Sequence, residues 1–290
     1  MSRSLRNLVV PLTAAGVLLL GACGSGAVAK PGAAPVDVHA AMAGLPGEHA
    51  HGIARDSGDG KVYLATHQGL FRYDKGTHAQ VGPTVDFMGF SIVGPGHFYA
   101  SGHPAPGVDL PQPAGLMESR DAGKTWSVVS RGGQSDFHAL TSSSKGVMGY
   151  DGALMSTADG KAWQPLAIPA QPASLAAAPD GSRTLATTAS GVMLSKNRGA
   201  SWAPLTTAPQ LLLAAWADQT TATGITNTGH LAVSTDSGET WKTGAGRVDS
   251  AQATSASRTS GGVLEVLVVT DSGIERTIDS GATFIPLGTS

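Results

Sequence analysis

The chain repeats a short segment along its length, and that repetition constrains its fold more than any other feature. Ser119-Arg120-Asp121-Ala122-Gly123-Lys124-Thr125-Trp126 recurs as Ser156-Thr157-Ala158-Asp159-Gly160-Lys161-Ala162-Trp163 and as Ser195-Lys196-Asn197-Arg198-Gly199-Ala200-Ser201-Trp202. It returns as Ser234-Thr235-Asp236-Ser237-Gly238-Glu239-Thr240-Trp241 and as Thr277-Ile278-Asp279-Ser280-Gly281-Ala282-Thr283-Phe284. An Asp or Asn oxygen can accept backbone N–H groups across a tight turn, and the glycine supplies a position with φ > 0. Each copy therefore reads as a hairpin turn whose aromatic residue begins the outgoing strand and covers a hydrophobic gap. Modules recurring about every forty residues stack, because one alone cannot bury its apolar face.

The pattern Ser-x-Asp-x-Gly-x-Thr-Trp resembles the Asp-box, or BNR repeat, known from sialidases and other propellers. The resemblance implies an all-β chain, a sialidase-like β-propeller of about six four-stranded blades, with one box per blade. Ala158 departs from the pattern, so that turn is expected to be looser or to use Asp159. Phe71-Arg72-Tyr73-Asp74-Lys75-Gly76 reads as a degenerate sixth box without the closing aromatic. Short β-rich runs such as Lys61 to Thr66, Gly191 to Ser195 and Val263 to Thr270 fill the intervals, and no long amphipathic helix follows Gly47. Blades are expected to begin near His49, Phe87, Phe137, Ala173, Leu211 and Ala251. Nothing in the sequence says how the ring closes.

The first residues carry Arg3 and Arg6 ahead of an apolar run from Leu8 to Leu20, the n-region and h-region of an export signal. The run is short for a membrane span. It ends at Leu20-Gly21-Ala22-Cys23, which resembles the lipobox of bacterial lipoproteins, so Cys23 is expected to be acylated. Cys23 is the single cysteine, which excludes an internal disulfide or a cysteine metal pair. The expected organisation is a signal over 1–23, an Ala/Pro/Gly-rich tether over 24–47 and a propeller over 48–290. Two acyl chains would hold the protein stably at the outer surface of the bacterial cell membrane. A hydrophobic fraction of 41% supports a large core, and a net charge of −2 with 14% charged residues points away from nucleic acid.

Aligning the blades on their boxes gathers the histidines. His49 and His51 start the innermost strand of the opening blade, and His67 ends its second strand. Blade two places Asp86 and His103 there, and blade three places Asp136, His138, Tyr150 and Asp151. In a four-stranded blade these positions share one face, opposite the boxes. Blades four to six put Ser174, Leu175, Ala189, Leu211, Leu212 and Asp271 at the same places, without a histidine. Ionisable residues on one side of the axis argue for a site, because unpaired buried ones cost stability. Residues two apart on a strand point the same way, so His49 and His51 can share one metal, with His67, His103 or His138 completing the set. Neutral imidazoles suit a transition metal such as zinc or copper. A metal-free small polar ligand, or hydrogen-bonded support for the insert from Pro104 to Gly115, is the alternative. His39, His78, His97 and His230 fall elsewhere and read as surface residues.

From about His49 onward the chain resembles bacterial Asp-box lipoproteins grouped as sialidase-like glycosylhydrolases. The landmarks are His49 to Gly52, Met88 to Phe90, Ser101 to Pro104 and Asp136 to Leu140. That resemblance implies glycoside hydrolysis, with Asp86, Asp136, Tyr150 and Asp151 as candidate catalytic residues. Sialidases of the familiar kind use three arginines to clamp a carboxylate, a Tyr/Glu pair and an acidic Asp. Here the Phe-Arg-Ile-Pro sequence is absent, Arg120 and Arg198 lie within boxes, and Arg55 and Arg131 are the only arginines expected near the site. The leading expectation is therefore a binding propeller for a metal or small polar ligand. A glycoside hydrolase and a scaffold for assembling another envelope protein, with a glycan or that protein as partner, stand as alternatives.

Overall fold

The computed structural model describes residues 45–47 and 49–288. The signal segment, Cys23, Glu48 and the tether up to residue 44 lie outside the described residues. Among the described residues every regular element is a strand, and the strands form six four-stranded antiparallel sheets.

Blade one comprises β1 (Ala50–Arg55), β2 (Val62–Thr66), β3 (Gly69–Asp74) and β4 (Thr77–Val81). Blade two comprises β5 (Val85–Gly94), β6 (His97–Pro104), β7 (Leu116–Ser119) and β8 (Ser127–Ser130). Blade three comprises β9 (Ala139–Ser143), β10 (Gly146–Tyr150), β11 (Leu154–Thr157) and β12 (Trp163–Leu166). Blade four comprises β13 (Pro172–Ala177), β14 (Thr184–Thr188), β15 (Gly191–Ser195) and β16 (Ala203–Pro204). Blade five comprises β17 (Leu211–Trp216), β18 (Ala222–Thr226), β19 (His230–Ser234) and β20 (Lys242–Arg247). Blade six comprises β21 (Ala253–Arg258), β22 (Leu264–Thr270), β23 (Gly273–Thr277) and β24 (Ile285–Pro286). The blade starts read from the sequence fall within two residues of these.

Each box folds by the chemistry its residues carry. Ser119 Oγ accepts the Gly123 N–H at 2.8 Å and donates to Asp121 Oδ1 at 2.9 Å. Asp121 in turn accepts the Thr125 N–H at 2.9 Å and its hydroxyl at 2.7 Å. The same bonds recur around Asp236 and Asp279, and Asn197 accepts the Ser201 N–H at 2.9 Å. Gly123 sits at φ +83°, and a Cβ there would enter the Leu70 side chain of the preceding blade. The second box, in blade three, is one residue shorter, with Thr157 in the place of Ser119 and Asp159 in the place of Asp121. The opening blade has no box. Lys75 and Gly76 both have positive φ, 46° and 82°, as a two-residue hairpin turn between strands requires.

The core is divided among the seams between blades. Trp126 packs at the seam of blades one and two, Trp163 at two and three, and Trp202 at three and four. Trp241 and Phe284 do the same for the next two seams. The sixth seam, where blade six meets blade one, lacks a box aromatic. Tyr73, Ile53, Leu64, Leu267, Val269 and Ile274 fill it, with Leu45 and Leu287 packed against them. Among the described residues no strand is exchanged there, since every blade consists of consecutive strands. The ring is closed by that packing, by the Ala50 N–H donated to Gln252 Oε1 at 2.8 Å and by Arg55 paired with Glu265.

Candidate site at the histidine face

The antiparallel pairing fixes which residues share a face. β1 runs from its histidine end to Arg55, β2 returns to Thr66, and β3 runs back to the turn that carries a box in other blades. His49, His51 and His67 therefore lie together, on the face opposite the boxes. A cavity of about 170 Å³ opens there on the axis and is lined by residues of all six innermost strands or their starts, His51, Phe90, His138, Leu175, Leu213 and Ala253 among them.

His51 reaches that cavity through a bulge, not by simple alternation. Ala50 pairs with Thr66 and Gly52 with Ala65, which leaves His51 unmatched. A bulge re-aims its side chain, and here it brings His51 Nε2 to 2.6 Å from His67 Nε2 with the rings stacked at 4.8 Å. The His49 ring lies 5.6 Å from that of His67. Burial and then the neighbouring imidazole of His67 lower the pKa of His51, against the opposing pull of Asp86. Met88, Ala173 and Leu212 occupy the equivalent unmatched positions in blades two, four and five.

Carboxylates alternate with the imidazoles along the arc. His67 Nδ1 is 4.0 Å from Asp86 Oδ1, and Asp86 faces His103 directly across β5 and β6. His103 Nε2 is 3.0 Å from Asp136 Oδ2, and His138 Nε2 is 3.4 Å from the same oxygen. Close approach makes this possible, because a Cβ on Gly102 would fall on the Asp86 carbonyl oxygen. Phe137, fully buried and stacked on Trp163 with its N–H donated to Ser101 Oγ, turns its neighbours Asp136 and His138 toward the mouth. Asp86 Oδ1 and Asp136 Oδ1 are buried and accept no hydrogen bond.

Two sequence candidates have structural work instead. Asp151 accepts a 2.5 Å hydrogen bond from Ser135 and lies 3.8 Å from Arg131. The Tyr150 side chain packs in the seam of blades three and four, while its carbonyl accepts the His138 N–H. Arg55 sits at the far end of β1, bound to Glu265 and the Gly60 carbonyl, so it is not near the mouth. His97 and His230 are half-buried rather than on the surface, and hydrogen-bond to Glu118 and the Gly246 carbonyl. His78 packs its ring against Tyr73, and His39 lies outside the described residues.

Sequence reading missed Gln252. Its Oε1 holds Ala50, between His49 and His51, while its Nε2 donates to Asp271 Oδ1 at 2.7 Å. The insert after His103 is an ordered brace: Ala105 N–H binds the Thr84 carbonyl, Ala114 N–H binds the Gly102 carbonyl, and Leu110 packs into the first seam. Among the described residues no group of three His, Cys, Asp or Glu side chains is arranged as a formed metal site.

No family model matches this chain, and no curated protein matches it. Solved structures do resemble it. YCF48 bound to a D1 peptide is 17% identical with a TM-score of 0.51, over 83% of both chains. YCF48 from Cyanidioschyzon merolae is 13% identical with a TM-score of 0.51, over 79% of this chain and 95% of that one. An ancestral GH74 enzyme is 11% identical with a TM-score of 0.51, over 85% of this chain and 39% of that one. At such identities the likeness is one of fold, and fold does not carry function.

Proposed function

We propose that this propeller is a lipid-anchored, extracytoplasmic binding protein whose histidine face holds a transition metal ion, zinc or copper, on His49, His51 and His67. One observation carries the reading: the Nε2 atoms of His51 and His67 face each other at 2.6 Å, with a third imidazole beside them. Without an ion, one of the two nitrogens must donate its proton to the other. Metal–nitrogen bonds of about 2.0–2.1 Å set two ligands roughly 3.3 Å apart on a tetrahedral ion, so a small opening of the pair seats one. Burial favours the neutral, ligating form of His51. Asp86 beside His67 is placed to orient that ring.

The test is the metal content of the mature protein purified without a histidine tag, beside a His51→Ala/His67→Ala variant. Wild type should retain zinc or copper after dialysis, and the variant should lose it. Equal metal in both removes the reading. Anchoring through Cys23 predicts acylation of that residue and release of a Cys23→Ala variant from membranes.

A glycoside hydrolase is the second reading, supported by the buried, unpartnered oxygens of Asp86 and Asp136, which leave two acceptors for sugar hydroxyls. Turnover of fluorogenic glycosides that Asp86→Asn and Asp136→Asn both abolish would establish it. Tyr150 and Asp151 have no part in that reading, given their packing and hydrogen bonds.

A further inference from the structure

Of the five seams that carry a box, four are fastened at the box glycine and one is not. Each of these glycines lies against a side chain of the preceding blade, Leu70, Val129, Met148, Leu205 or Leu231. The Gly123 and Gly238 carbonyls accept the N–H of their own indoles, Trp126 and Trp241, each at 3.1 Å. The Gly160, Gly238 and Gly281 carbonyls accept bonds from the preceding blade, donated by the Ser130 hydroxyl, the Thr207 hydroxyl and the Gly246 N–H. Among the described residues the Gly199 carbonyl of blade four has neither bond, and Trp202 Nε1 is buried without an acceptor. Four residues after its box aromatic blade two has Ser130, whereas blade three has Ala167, with no hydroxyl to donate.

At this seam, on the face that carries the boxes, a groove of about 400 Å³ opens between blades three and four. The shortened box supplies part of its blade-three wall. We infer that this groove is a binding site separate from the histidine face, for a small organic anion with a carboxylate or phosphate head on an apolar body. Its volume falls within the roughly 300–1,000 Å³ of small-molecule pockets.

The lining fits that chemistry. Lys145, on the hairpin between β9 and β10, and Arg198, within the blade-four box, face the groove from different blades, both exposed. Neither forms an ion pair among the described residues, whereas Lys196, two residues from Arg198, is paired with Glu239. Two uncompensated cations around a concavity attract an anion, and a guanidinium can hold a carboxylate or phosphate with two parallel hydrogen bonds. Val147, Met148 and Leu166 add apolar surface for the body of the ligand. Asp159, the one carboxylate in the lining, is tied to its own turn by the Lys161 and Ala162 N–H groups and the Thr157 hydroxyl. The cations therefore stay in excess.

Calorimetric titration of the mature chain with octanoate, octyl phosphate and octanol, each below its aggregation limit, tests this. Wild type should bind at least one of the two anions at a single site, and octanol about tenfold more weakly. Which anion binds separates a carboxylate from a phosphate head. Lys145→Ala and Arg198→Ala should each weaken the anion about fivefold, the scale of an ion pair at an exposed rim, and added salt should weaken it as well. Ala162→Trp, at an exposed position in the groove, keeps both cations and should abolish binding by filling the space. The labelled methyl signal of Met148 should shift on titration, locating the ligand at this seam. His51→Ala/His67→Ala should bind the anion as wild type does, so loss of the metal reading leaves this one standing. The site is overturned if neither anion binds, if octanol binds as tightly, or if binding survives Ala162→Trp or leaves Met148 unmoved.

Discussion

Arg55 at the end of the first strand and Glu265 on the second strand of blade six form a two-pronged pair across the closing seam. Nε to Oε2 measures 2.6 Å and Nη2 to Oε1 3.1 Å. Arg276, from within blade six, adds a third bond at 2.6 Å. Burial opposes ionisation of Glu265, whose side chain is 2% exposed, yet the two guanidiniums hold its carboxyl below the usual range. The ring is thus fastened by a buried charge that only both ends of the chain together can satisfy.

Removing Arg55 should therefore weaken closure. Arg55→Ala leaves Glu265 with one of its two partners and is expected to cost about 2 kcal/mol, less than the full loss of a buried pair. Arg247→Ala breaks the exposed Arg247–Asp249 pair of 2.7 Å and should change stability by less than about 0.5 kcal/mol. Urea unfolding compares them, and equal midpoints would show that the seam pair does not hold the ring.

Phe137 links packing to the site. It is fully buried, and Phe137→Ala should cost about 3–5 kcal/mol and disturb Asp136 and His138 on either side. Phe137→Leu keeps much of the apolar volume and should cost less. Thermal unfolding measures both variants, and an Ala variant as stable as wild type would contradict the anchoring role.

Gln252 acts through Ala50 and not on a ligand itself. Gln252→Ala should leave the unfolding midpoint within a few degrees of wild type while weakening the blade-one metal about tenfold. Unchanged affinity in the Ala variant would make its bond to Ala50 purely structural.

The boxes should set part of the acid limit. Hydrogen bonds from Thr240 and Ser234 lower the Asp236 carboxyl to about 2, and those from Thr283 and Thr277 lower Asp279 to about 2. Folded values below the unfolded one, about 3.9, mean that this stability is complete above about pH 4 and lost as pH falls through 2. Asp236→Asn/Asp279→Asn, built on the example of Asn197, should flatten the fall of melting temperature between pH 4 and pH 2. Identical acid slopes would place the limit elsewhere.

The turns and blade starts were legible because their causes are local. A Ser or Thr hydroxyl, an Asp oxygen and a left-handed glycine within eight residues specify the same hairpin wherever they recur, even in the shortened copy around Asp159. The gathering of His51, His67, His103 and His138 on one face was legible for a related reason, since antiparallel strands return each blade to the same rim. The bulge that aims His51 was not legible. It is set by pairing against Thr66 and Ala65, and no pattern in His49 to Gly52 announces it.

The repeat by itself determined the strand content, five of the six blades and the face on which the ionisable residues stand, because each follows from interactions among residues close in sequence. Only the tertiary structure decided how the ring shuts, which oxygens of Asp86 and Asp136 lie unsatisfied, and that Gln252 reaches Ala50. Those depend on residues such as Arg55 and Glu265, far apart along the chain, whose meeting is fixed by the curvature summed over all six blades.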